Sequence, residues 1–255
     1  MTTRVNNTVD AVRKTFRVLE GLEALNGARV TELANHLDLP KSTVHNHLQT
    51  LVEEEYVVKD DTENKYRIAL RHLSFGEHAR NQTLYKIAKS EVRDLAEETG
   101  EHANFAMHEH GYGVYVYKAT GEKAVKLDSY PGKRVYLHTT GFGKAMLAHM
   151  DESDREAIYE RHGLPAATQS TTTDREELEA ELDEIRQRGY AFDDEERLDN
   201  MRCVAAPLTT TDDRVVGAIS VSGPTGRLKG DYFREELPNR VVSVANIIEI
   251  NATYT

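Results

Sequence analysis

The sequence predicts an α+β protein in two parts. A winged helix-turn-helix occupies residues 1–69, a helical linker 70–83, and a domain with a mostly antiparallel sheet 84–255. Three observations carry this. Residues 30–67 read as a short helix, a tight turn, a second helix with a polar outer face and a charged hairpin. Leu84, Ile87, Ala88, Val92, Leu95 and Ala96 make an apolar stripe at helical spacing that stops at Gly100. From His102 onward, strand-like alternation is interleaved with helical periods.

Length and composition bound the possibilities. At 255 residues the chain can bury a sizeable core without covalent staples. Its one cysteine, Cys203, rules out an internal disulfide and a Cys-rich metal site, and fits a reducing cytoplasm. The first residues lack the apolar stretch of a signal peptide, and no run approaches a membrane-spanning length. Net charge is −11, of which residues 1–80 carry only −1. Nucleic-acid binding must therefore be argued from pattern and not from bulk attraction. An ordinary acidic surface and adaptation to a salty interior both fit that charge.

Helix one is expected over 8–25, with Val9, Val12, Phe16, Leu19, Leu22 and Leu25 as its apolar stripe and Gly27 as its stop. Helix two follows over 30–37, turning Leu33, Ala34 and Leu37 inward. The turn is Asp38-Leu39-Pro40. In helix three, 41–54, Val44, Leu48, Leu51 and Val52 form the core side. The opposite face carries Ser42, Thr43, Asn46, Gln49, Thr50 and Glu53, with Lys41 at the start. Short hydroxyls and amides are the types that bond base edges and phosphate oxygens. Asn46 and Gln49 suit adenine, while His45 and His47 on the flanks suit phosphate. A polar face is also what any solvated helix presents, so the hairpin tips the balance. There Tyr56, Val58, Tyr66 and Ile68 alternate as inner residues, leaving Lys59, Lys65 and Arg67 outward around an acidic tip.

Pro40-Lys41-Ser42-Thr43-Val44-His45, followed by Leu48-Gln49-Thr50-Leu51, closely resembles the recognition helix of IclR-type (isocitrate lyase regulator) transcription factors. Asn46 and His47 depart from the basic or bulky residues usual there. The resemblance implies that residues 70–83 link two domains and that helix one helps form a homodimer, or a homotetramer, on palindromic double-stranded operator DNA. Pairing two half-sites is also how a single short recognition helix gains specificity. Leu73 and Ala79 are expected to face a partner or the next domain.

In the second domain, residues 103–107 and 112–118 read as a hairpin turning at Glu109-His110-Gly111, and 124–128 as a third strand. Helices are expected over 143–149, 152–161 and 174–188, strands over 190–195, 202–208 and 215–222. A last helix over 230–251 carries Leu237, Val241, Val244, Ala245 and Ile248 on one side.

Four stretches look like a pocket. Leu137-His138-Thr139-Thr140-Gly141-Phe142-Gly143-Lys144-Ala145 feeds a Thr- and Gly-rich turn into a helix, whose free N–H groups attract anions. Asp193-Asp194-Glu195-Glu196 should turn at least one acid inward. Cys203 sits in an apolar strand, and Ser220 and Ser222 share one face of another, needing partners. These stretches resemble the IclR effector-binding domain, which has a GAF-like topology. The resemblance implies that Gly141, Phe142, Asp193, Cys203, Ser220 and Ser222 line an effector site for a small organic acid: a 2-oxo, hydroxy or sugar acid. The ligand carboxylate is expected on the Gly141 and Phe142 N–H groups, with Ser220 and Ser222 donating to it and Asp193 accepting from a hydroxyl. Phe142 is larger than the residue usual there, and Asn200 stands where the family has glycine. The function implied is a ligand-responsive regulator of a catabolic pathway that is no enzyme and needs no cofactor. Two alternatives remain open: a thiol hydrolase built on Cys203, His138 and Asp193, and a zinc-holding sensor using the same three. The strand position of Cys203 argues against an activated thiol.

Overall fold

The computed structural model describes residues 8–80 and 83–254. The expectation about a leader sequence, and residues 81 and 82 of the expected linker, lie outside them. The chain divides into two compact units between Ala79 and Arg80.

The first unit contains α1 (Asp10–Ala24), α2 (Val30–Leu37), α3 (Lys41–Glu53), the wing strands β1 (Val57–Asp60) and β2 (Lys65–Ile68), and α4 (His72–Arg80). Val18, Leu22, Leu33, Leu37, Val44, Leu48, Leu51, Val57 and Tyr66 make its core. Two expectations are corrected. The inner face of α1 is Val18, Gly21 and Leu22, whereas Val12 is 51% and Phe16 59% exposed, and Val9 and Leu25 also face solvent. Gly21 explains this. A Cβ there would stand 2.6 Å from Leu33 Cδ1, so the missing side chain is what lets α2 pack close. Of the expected stripe, Leu22 is buried and Leu19 packs partly buried against the core, while Val9, Val12, Phe16 and Leu25 are left uncovered. In the wing, Val57 points inward and Val58 outward. Glu55 takes a left-handed conformation (φ 63°) and the strand starts at Val57, so Val57 replaces Val58 on the inner side. Tyr66 is buried and Tyr56 and Ile68 pack on the core as expected, with Tyr56 also stacked on Phe75 under the Arg71 guanidinium. Leu73 and Ala79 are exposed on α4, which buries no residue.

The second unit contains α5 (Thr83–Thr99), β3 (His102–Glu109), β4 (Tyr112–Thr120), β5 (Arg134–Tyr136), α6 (Gly141–Leu147), α7 (Glu152–His162), α8 (Arg175–Arg188), β6 (Ala191–Asp194), β7 (Met201–Thr209), β8 (Val215–Pro224) and α9 (Leu237–Thr253). The six strands form one antiparallel sheet in the order β5-β4-β3-β8-β7-β6. One face, with Ala103, Phe105, Val204, Ala206, Ile219 and Val221, packs on α5 and α9. The other, with Ala106, Tyr115, Ala205 and Ala218, meets Phe142, Met146, Leu178 and Leu182 of α6 and α8. Residues 124–128 are not a strand. Side chains satisfy the carbonyls of this stretch instead of a ladder: Val125 O accepts from His102, Asp128 O from Arg197 and Ser129 O from Lys118. The edge strand is β5, which pairs with Tyr112, Gly113 and Val114. Among the described residues no helix is long and apolar enough to cross a membrane.

Candidate DNA-reading helix and effector cavity

Helix α3 places Val44, Leu48 and Leu51 in the core, which turns Ser42, His45, Asn46, Gln49 and Thr50 into solvent beside an exposed Lys41. Thr43 is half-buried. Thr50 Oγ1 donates to the Asn46 carbonyl, so its hydroxyl is already partly committed. His47 is half-buried and lies 3.0 Å from Thr15 Oγ1, tying α3 to α1 instead of flanking the outer face. In the wing, Lys59 pairs with Asp61 and Lys65 with Glu63, while Arg67 has no acid within ion-pair distance among the described residues.

The sheet face toward α6 carries a polar rank across three strands. Asp193 on β6 pairs in register with Cys203 on β7, and Cys203 with Ser222 on β8. One step along, Ala205, Ser220 and Asn104 form the next rank. A cavity opens over the first rank, with Thr140, Phe142, Tyr115 and Arg197 also in its walls. Its free volume is about 20 Å³, room for on the order of one water molecule. Any larger guest has to displace side chains. Ser220 is 0% exposed and accepts from Asn104 Nδ2 at 3.2 Å, so it stands behind the wall and reaches the cavity through Asn104.

The two glycines of α6 serve packing. A Cβ on Gly143 would run into the Leu137 carbonyl, and one on Gly141 would meet Cys203 Sγ at 3.3 Å. The Gly143 N–H is taken by Thr140 Oγ1 at 3.0 Å. Thr140 thus caps the helix through the Gly143 N–H, just beyond the Gly141 and Phe142 N–H groups on which the ligand carboxylate was expected.

Asp193 Oδ1 accepts from the Glu196 and Arg197 N–H groups at 2.8 and 3.3 Å, closing the turn after β6. Burial, reinforced by the nearby Glu196 charge, raises its pKa to about 7. Glu195 (φ 64°) ends the strand, so alternation fails and Glu196 turns inward. There it meets Lys144, a residue that the sequence marked only by its place in a motif. Lys144 is 0% exposed, with Nζ 2.5 Å from both Glu196 Oε1 and Glu181 Oε1. Burial alone would lower the Lys144 pKa, but the two carboxylates more than reverse this and hold it above the ordinary lysine value. Asn200 takes φ 62°, as its place in the following turn demands.

Neither alternative chemistry survives. Burial pushes the Cys203 thiol up to about 12, opposite to what a nucleophile needs. His138 Nε2 bonds the Pro165 carbonyl at 3.0 Å, with no acid or thiol as partner. Among the described residues no group of three His, Cys, Asp or Glu side chains could hold a metal ion.

Comparison with known proteins covers both units. Residues 77–249 match the family described as bacterial transcriptional regulator IclR C-terminal, and residues 11–61 match the IclR helix-turn-helix domain. The HTH-type transcriptional regulator BhcR of Paracoccus denitrificans is 34% identical over 86% of this chain and 79% of its own length. The transcriptional repressor IclR of Escherichia coli is 30% identical over 89% of this chain and 84% of its own. The crystal structure of the Thermotoga maritima IclR superposes with a TM-score of 0.77 at 26% identity, covering 96% of this chain and 99% of that one. The helix-turn-helix and the sheet domain are both covered by these matches: the chain belongs to the IclR family of DNA-binding transcriptional regulators, which are not enzymes.

Proposed function

We propose that this regulator controls a catabolic pathway from the cytoplasm, reading a palindromic operator as a homo-oligomer and sensing a small organic acid in its second unit. Residues 1–69 serve as the DNA-binding domain, 70–83 as linker and 84–255 as effector domain. Asn46 and Gln49 read bases. Lys41, Ser42, Thr43, His45, Thr50, Lys59, Lys65 and Arg67 position the helix and wing on the phosphates.

The observation that carries the effector reading is the Asp193–Cys203–Ser222 rank beneath the cavity. Polar groups on a buried sheet face are costly unless something bonds them. Phe142 and Tyr115, edge to face at 5.0 Å, shape an apolar wall that excludes large guests. Gly141 and Ser220 support the wall from behind. With a pKa near 7, Asp193 is largely neutral below neutrality and can donate to a ligand oxygen as well as accept from a hydroxyl. Effector binding biases the DNA-binding state through differential affinity for two conformations.

The test is fluorescence anisotropy with the gene's own upstream DNA, with and without a panel of 2-oxo, hydroxy and sugar acids. An acid that changes operator affinity in wild type, but not in Ser222→Ala, supports the assignment. Unchanged affinity across the panel would sink it.

A further inference from the structure

Beside residues 124–133 stand two cations, Arg197 in the cavity wall and Lys118 outside its lining, and neither forms an ion pair among the described residues. Lys118, on β4, donates from Nζ to the Ser129 carbonyl at 3.1 Å. Arg197, just past β6, donates from Nη2 to the Asp128 carbonyl at 3.1 Å. The Asp128 carboxylate itself pairs with Lys133. Among the described residues neither Lys118 nor Arg197 has an acid within ion-pair distance. The two are near enough to oppose each other: burial first, then the Arg197 charge, lowers the Lys118 pKa. The Arg197 guanidinium lies 5.5 Å from the Tyr115 ring centroid and forms part of the cavity wall.

The same wall holds an unpartnered acceptor. Asn104 is 2% exposed, and its Nδ2 is spent on Ser220, leaving Oδ1 buried with no hydrogen bond. A buried carbonyl of this kind is destabilising unless a donor reaches it. Asp193 marks the other polar group of the site, at the end of the rank.

We propose that Arg197, backed by Lys118, holds the effector carboxylate, while Asn104 Oδ1 accepts from a hydroxyl on the same molecule. The site then selects short 2-hydroxy acids, or 2-oxo acids in their hydrated form. This rests on the reading of the cavity as an organic-acid site and reverses the orientation that the α6 start would impose. Two facts favour the reversal. Gly141 is packed against Cys203, and Asp193 repels a carboxylate whenever it is ionised. Arg197 gives up only one neutral carbonyl partner to take a carboxylate, and the charge-assisted bond is the stronger.

Isothermal titration of the full chain tests this, using glycolate, L-lactate, D-glycerate and D-gluconate, each beside its primary amide. In wild type at least one acid should bind, roughly 10–100-fold tighter than its amide. Arg197→Gln should erase that difference and Arg197→Lys retain part of it. Loss of the bond to Asp128 alone would weaken acid and amide alike, so the ratio separates recognition from loop anchoring. Asn104→Leu should erase the preference for glycolate over acetate. If it does not fold, as read by circular dichroism, the Arg197 variants decide alone. If an acid binds and Arg197→Gln keeps the full acid-to-amide ratio, the inference fails while the effector reading stands. If no acid binds wild type, both fall.

Discussion

Lys144 Nζ lies 2.5 Å from Glu196 Oε1, an ion pair that joins α6 on one side of the cavity to the turn that holds Asp193. Both residues are buried, so the pair was desolvated at a cost that its mutual attraction must offset. Removing one partner leaves the other charge stranded. Lys144→Met should therefore lose ~3–5 kcal/mol in urea unfolding. Adding Glu196→Met should restore part of it, because two apolar side chains then pack where two of the three ions stood, while the more exposed Glu181 keeps access to solvent. A double variant as unstable as the single one would show that the pair is more than mutual compensation.

Much of the fold was legible because periodicity reports burial. Val44, Leu48 and Leu51 set the orientation of α3, and Ala103, Phe105 and Val221 the sheet. What escaped were features that depend on one residue's backbone or on a distant partner. Glu55 and Glu195 adopt left-handed conformations that shift the alternation behind them, which exposed Val58 and buried Glu196. Gly21 and Val18 set α2 against one edge of the α1 stripe, at Leu22, and left Val12 and Phe16 outside the core. Residues 124–128 have strand-like side chains, but His102 and Arg197 claim the Val125 and Asp128 carbonyls. Within the site, Asp193, Cys203 and Ser222 were marked by the resemblance to the IclR effector-binding domain. Asn104 and Arg197 were not, since nothing local distinguishes them from an ordinary strand amide and a surface arginine.

Asp193 makes stability depend on pH in a definite direction. Its folded pKa of about 7 is raised above the ordinary 3.8, so the native state keeps a proton that the unfolded chain releases. Stability is then greatest below about pH 4 as far as this group is concerned, and falls as pH rises through 7. Asp193→Asn stays neutral and still accepts from the Glu196 and Arg197 N–H groups. It should be more stable than wild type at pH 8, by up to about 4 kcal/mol, with little gain near pH 4. Equal pH slopes in denaturant titrations of the two proteins would contradict the assigned burial effect.

The effector affinity should follow the same ionisation. An acid ligand binds best while Asp193 is neutral, so its dissociation constant should rise as pH passes upward through about 7. In Asp193→Asn the rise should vanish. Titration calorimetry at pH 6 and 8 on both proteins checks this, and a wild-type affinity that improves with pH would refute it.

On DNA, the exposed amides of α3 and the wing arginine should behave differently. Asn46→Ala and Gln49→Ala should each cost ~1–3 kcal/mol at particular base pairs while leaving random DNA unaffected. Arg67→Ala should weaken all sequences alike and flatten the salt dependence. Its effect should exceed that of Lys59→Ala or Lys65→Ala, whose charges are already shared with Asp61 and Glu63. Salt-series anisotropy on operator and scrambled duplexes separates the two classes. Equal losses on both duplexes for Asn46→Ala would remove it from base reading.

The uncovered stripe on α1 offers a test of assembly. Val12 and Phe16 are half or more exposed and contribute nothing to the core built on Val18 and Leu22. Replacing both with glutamate should leave the unfolding free energy of the first unit within ~0.5 kcal/mol, as for other surface changes. If homo-oligomers form through this face, the same change should desolvate two charges against apolar partners and shift sedimentation toward monomer. Operator affinity should then fall steeply with protein dilution, because two half-sites would no longer be read by one assembled body. A variant that keeps the wild-type sedimentation coefficient would place the interface on another surface.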